Sequence, residues 1–134
     1  MDKEYEIDIV RAFFNKHCQE RISYELASKN KRYNAIGRLC HDFQEVLKLN
    51  YMIKIECLDY KDVLKEMKYY GALKTCYVIS YNKIVDGMCV KLDEALKNVV
   101  GYGMPSLVVC VPNKLAYFES EQLEGAPPRY ILQK

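Results

Sequence analysis

The chain has 134 residues, half of them hydrophobic, with 20 Lys and Arg against 18 Asp and Glu for a net charge of +2. A chain of this length buries roughly two-thirds of its unfolded surface, and its patterned apolar positions exclude a disordered polymer. The near-neutral balance selects neither a nucleic-acid nor a membrane partner, and no run approaches the roughly 18 apolar residues of a membrane span.

Residues 5–20 read as a helix, with Ile7, Val10, Phe14 and Cys18 on one stripe and Phe13 and His17 beside it. Extending the same wheel carries Arg21 and Glu25 onto the apolar face, so the helix is expected to end or rotate near Gln19. The other readings are a buried or partner-facing Arg21–Glu25 pair, or a short strand through the alternating Ile22, Tyr24 and Leu26. Ser28 or Asn30 can cap a second helix running to Leu49, whose stripe contains Tyr33, Ile36, Leu39, Phe43 and Val46. Arg38 and Asp42 lie four apart on its far side and are expected to pair. Residues 1–50 therefore read as a helical hairpin.

Tyr51 to Cys57 alternates as a strand does, with Ile53, Ile55 and Cys57 on the drier face. Asp59 caps a helix that buries Val63, Leu64, Met67 and Tyr70 and ends at Gly71. Leu73 to Tyr81 is apolar on both sides and is expected inside the sheet. Asp86 can cap the next helix, with Met88, Leu92, Leu96 and Val99 as its stripe. Gly101 sits where a left-handed residue closes a helix, and Pro105 bars resumption. Leu107 to Val111 is again apolar on both faces, Pro112-Asn113 turns the chain, and Leu115 to Phe118 returns antiparallel. Residues 129–133 are expected as a last edge strand, with Pro128 outside the ladder. The order is ααβαβαβββ. It implies an α/β domain, α+β being the alternative, spanning residues 1–134. A mixed sheet of four or five strands in residues 51–134 would carry the helical hairpin.

Six cysteines occur without any C-x-x-C, mostly on apolar faces where cysteine acts as a small hydrophobe. With a charged N-terminus and no signal peptide, free thiols in the cytoplasm are expected. His17-Cys18 and Cys40-His41 could each offer one metal ligand, but neighbours on a helix diverge by about 100°. With no zinc spacing, neither a metal nor a cofactor is expected.

Three stretches remain as candidate sites. Lys29, Lys31, Arg32 and Arg38 are the only charged residues between Leu26 and Cys40, and they precede or open a helix, a setting that suits phosphate. Tyr33 beside them could stack on a base. Tyr117, Glu119, Glu121 and Glu124 form an acidic stretch with an aromatic anchor. Inhibitors of basic enzymes, such as the immunity proteins of nuclease toxins, bind through loops of that kind. The third is Cys57. The order βαβαββ over Tyr51–Phe118, with Gly103-Met104-Pro105-Ser106 ahead of an apolar strand, resembles the thioredoxin family. That resemblance puts Cys57 where the family has its first active-site cysteine, and Pro105 at its cis-proline segment. The motif Cys57-Leu58-Asp59-Tyr60 lacks the second cysteine, and Asp59 opposes a thiolate.

No P-loop, dinucleotide fingerprint, nucleophile elbow or zinc-protease motif is present. The expected function is therefore binding of another macromolecule, as an inhibitor, immunity protein or adaptor. A phosphate- or nucleic-acid-directed binding protein or enzyme using residues 29–38 is the alternative, and a thioredoxin-like thiol protein around Cys57 and Pro105 a further one.

Overall fold

The computed structural model describes every residue except His41, residues 111–113, Glu124 and Ala126. The expected Pro112-Asn113 turn and the Glu124 site lie outside the described residues. Four helices come first: α1 Lys3–Phe13, α2 Gln19–Ala27, α3 Arg32–Gly37 and α4 Phe43–Val46. Then follow β1 Met52–Lys54, α5 Tyr60–Tyr69, β2 Thr75–Ser80, β3 Cys89–Lys91, α6 Leu92–Val99, β4 Ser106–Cys110, β5 Leu115–Glu119 and β6 Arg129–Gln133. The strands form one sheet in the order β1-β6-β5-β4-β2-β3.

Every neighbouring pair in this sheet is antiparallel, so the sheet is not mixed, and it has six strands rather than four or five. The physical reason lies at β3. A strand–helix–strand unit returns its second strand parallel to the first. Here β3 first runs back along β2, so α6 starts from the opposite end of the sheet and delivers β4 antiparallel to β2. The helix expected to start at Asp86 therefore begins only at Leu92. Met88 is 46% exposed rather than part of its stripe. Gly87, at φ +73°, makes the turn that a side chain would resist.

Helices cover both faces of the sheet. The N-terminal helices bury Ile9, Phe13, Ile22 and Ile36 against Tyr77, Ile79, Leu107 and Phe118. Val63 and Met67 of α5 and Leu92 and Leu96 of α6 pack on Val78, Val108 and Tyr117. Alternation along a strand sends Leu107 and Val109 to one core and Val108 and Cys110 to the other. That two-sided burial is what the unbroken apolar run requires. Residues 129–133 do form a strand, but it lies between β5 and β1 instead of at the edge.

The N-terminal half departs most from the helical-hairpin expectation. Its first helix stops at Phe13, where Phe14 turns extended and bridges to Leu47. The Asn15 side-chain amide fixes this crossing by donating from Nδ2 to the Glu45 and Leu47 carbonyls at 2.8 and 3.1 Å. Ile22 and Leu26 are buried as one face of α2, so the alternation there marks a helix and not a strand. The second expected helix is split into α3 and α4. By contrast, Asp59 caps α5 by accepting from the Asp62 amide at 3.0 Å, and Gly101 takes φ +81° after α6.

Candidate functional site

The basic segment lies on the hairpin made by α2 and α3. Four residues separate these helices, and the turn closes through the Lys31 and Arg32 amides, which both donate to the Ser28 carbonyl. From this hairpin the cations go in two directions.

Arg32 points inward. Its guanidinium donates to Glu6 Oε1 and Oε2, both at 2.7 Å, and to Asp86 Oδ2 and Oδ1 at 2.8 and 2.9 Å. A fifth bond, at 3.1 Å, goes to the Leu26 carbonyl. All five of its donors are thereby used. Tyr77 donates its hydroxyl to Glu6, and Asp86 accepts from the Ser80 amide. All three charged groups are buried. Burial opposes the charge on Arg32, but the hydrogen bonds to Asp86 and Glu6 outweigh it and hold the arginine more firmly protonated than usual. Arg32 thus ties the hairpin to α1 and to the β2–β3 turn.

The remaining cations stay outside. Arg38 grips the Glu25 carboxylate with two bonds, at 2.8 and 2.9 Å, and Arg21 approaches the same carboxylate at 3.7 Å. The hydrogen bonds from Arg38 hold the Glu25 carboxyl below its ordinary value. Arg38 therefore pairs with Glu25 and not with Asp42, because the split between α3 and α4 removes the helical spacing that pair required. Lys31 places its ammonium 5.3 Å from the centre of the Tyr24 ring, and Tyr24 is 63% exposed. Lys83 lies 5.6 Å over Tyr33, whose ring stacks on Tyr81. Lys29 is exposed at the turn.

Residues 21–40 contain five cations and one acid, while the rest of the chain has 15 cations and 17 acids. The single acid, Glu25, is covered by Arg21 and Arg38. This hairpin therefore shows solvent a positive surface with aromatic rings set into it, and its one exposed carboxylate is Glu20 in the first turn of α2. Tyr24 was hidden from sequence reasoning by its place in an apparent strand alternation. Lys83 had no signal at all, since only the fold brings it beside Tyr33.

The other candidate residues lie elsewhere. Tyr117 and Glu119 are inside the protein, where Tyr117 and Arg129 both donate to Glu119 Oε1 at 2.7 and 2.9 Å. The Gly101 amide bonds the same carboxylate. Glu121 is half-buried, and it joins burial in pushing the Cys40 thiol up to about 11. Cys57 is buried, and its carbonyl accepts from Arg129 at 2.6 Å. Burial, then Glu66 and Asp62, raise its thiol, the opposite of what a nucleophilic cysteine needs. All six cysteines are free. Among the described residues there is no group of three metal-ligating side chains, and no helix is long and apolar enough to cross a membrane. Comparison with protein-family models, curated proteins and solved structures finds no match to this chain.

Proposed function

We propose that this chain works by binding another macromolecule, and that the partner at the α2–α3 hairpin is a single-stranded nucleic acid. The observation that carries this reading is the positive surface of the hairpin, with Tyr24 exposed among Arg21, Lys29 and Lys31. Phosphates would take the place of water around the lysines, releasing counterions, while a base stacks on the ring of Tyr24. Arg38 is a positioning residue, since its bond to Glu25 neutralises the acid that lies among the cations of the hairpin. Arg32 contributes by anchoring the hairpin and does not face the ligand. The six free thiols suit a reducing compartment such as the cytoplasm.

The test is anisotropy of a labelled oligo-uridine and oligo-thymidine with the full chain at two salt concentrations. Three or four phosphate contacts predict an affinity falling about 20- to 50-fold between ~50 and ~200 mM salt. Lys29→Glu/Lys31→Glu should remove most of the binding and flatten the slope. Tyr24→Ala should weaken it by about tenfold, within the range for a lost base stack. Equal binding by wild type and the lysine variant, or binding indifferent to salt, would sink the proposal. A thiol-based reading at Cys57 gains no support from its surroundings. The inhibitor or adaptor reading, with a protein as partner, is favoured by a different surface, described next.

A further inference from the structure

At the end of the sheet where β2 begins and β3 finishes, a groove of about 750 Å³ opens between α5 and the start of α6. It is larger than the clefts beside Cys57 and His17, at about 430 and 240 Å³. Its floor is continuous with the core, because Leu92 is buried and Leu64 packs on the same α5–α6 cluster. The Leu92 amide donates to the Lys74 carbonyl at 2.8 Å, which fixes the floor against the start of β2. Leu73 stands on the wall. It is 58% exposed on the short connection after Gly71, where the fold has no need of an apolar side chain.

Three exposed lysines rim the groove: Lys68 on α5, Lys74 before β2 and Lys91 at the end of β3. Asp93 is the only acid among the lining residues. Lys68 comes from a helix, Lys74 from the bend ahead of β2, and Lys91 from the end of β3, where it pairs with Thr75. Three cations carried by three separate elements suit several carboxylates better than one head group. Carboxylates spread along a polypeptide can meet all three.

From this we infer that the groove is a docking site for a protein partner, which enters with an acidic amphipathic segment. Its apolar side chains cover Leu73 and Leu64, and its carboxylates pair with Lys68, Lys74 and Lys91. The site shares no residue with the α2–α3 hairpin and stands whether or not nucleic acid binds there.

The experiment is selection of phage-displayed random peptides of about 12 residues on the immobilised full chain, followed by anisotropy of the best synthetic peptide. Enriched peptides should combine Leu, Ile or Phe with Asp or Glu. Leu73→Glu should weaken the peptide more than tenfold and Lys74→Glu/Lys91→Glu about tenfold. Lys29→Glu/Lys31→Glu should leave its affinity unchanged, which separates this site from the hairpin. The charge variant changes only exposed side chains, so it remains decisive if Leu73→Glu folds poorly. Failure to enrich any peptide, enrichment of basic ones, or equal affinity for wild type and both groove variants would overturn the inference. So would binding of a fluorescent fatty acid that depends on Leu73 in the absence of any peptide ligand.

Discussion

Arg32 and Arg38 lie on the same short hairpin, six positions apart, and use their charge in opposite ways. Arg32 is sealed between Glu6 and Asp86, residues 26 and 54 positions away along the chain. Arg38 is partly open to solvent and holds a carboxylate from the adjoining helix. A run of cations in a sequence is therefore two things at once, an internal tie and an external surface. Its total charge does not divide between them in any way the run itself reveals. What divides it is whether a complementary pair of carboxylates waits beneath the helix.

The sharpest break in that comparison is Arg32→Met. It leaves two carboxylates buried without a counter-charge and should cost about 3–5 kcal/mol, lowering Tm by about 10–20 °C. A triple variant, Glu6→Gln/Arg32→Met/Asp86→Asn, should recover part of that loss, because no unpaired charge then remains inside. Thermal unfolding followed by circular dichroism measures both. A melt of Arg32→Met like that of the wild type would mean the internal tie is not what it looks to be.

Next in size is Arg129→Met, at about 2–3 kcal/mol, since Glu119 would keep its bonds from Tyr117 and Gly101. Urea unfolding reads it directly. The outer pair is weaker. Glu25→Gln should cost about 1 kcal/mol at neutral pH, given the partial solvent screening of Arg38. Its pH dependence has a fixed sign. The folded carboxyl titrates below its ordinary value of 4.5, so the native state binds fewer protons than the unfolded chain in that region. The contribution is complete above that value and drains away as pH falls through the folded one. Urea melts between about pH 3 and 7 should show wild type and Glu25→Gln converging at the acid end. The smallest effect on stability belongs to Lys29→Glu/Lys31→Glu, within about 0.5 kcal/mol, even though it should remove oligonucleotide binding. A large loss of stability in that variant would move these lysines from the surface account to the internal one.

Legibility in the sequence followed the range of the forces involved. The cap at Asp59 and the left-handed Gly101 are settled within a few residues, and both stand where the pattern puts them. The central strand Ser106–Cys110 was also readable, because only a strand covered on both faces tolerates five consecutive buried positions. Asp86 was misread for the same reason in reverse. A lone aspartate ahead of an apolar stripe looks like a helix cap, and nothing local discloses that a buried arginine claims it. Likewise Glu119 and Tyr117 look like surface until Arg129 and Gly101 close around them.

The sequence by itself determined that helices and strands would form and bury apolar residues on both sides of a sheet, since periodicity and capping act over one or two turns of chain. Only the tertiary structure decided that the sheet would be antiparallel throughout, because three residues of β3 reverse the path before α6 begins. It also decided which charges became structure and which stayed available for a ligand. An ion is buried only where its counter-charge and hydrogen-bond partners are brought to it from distant parts of the chain.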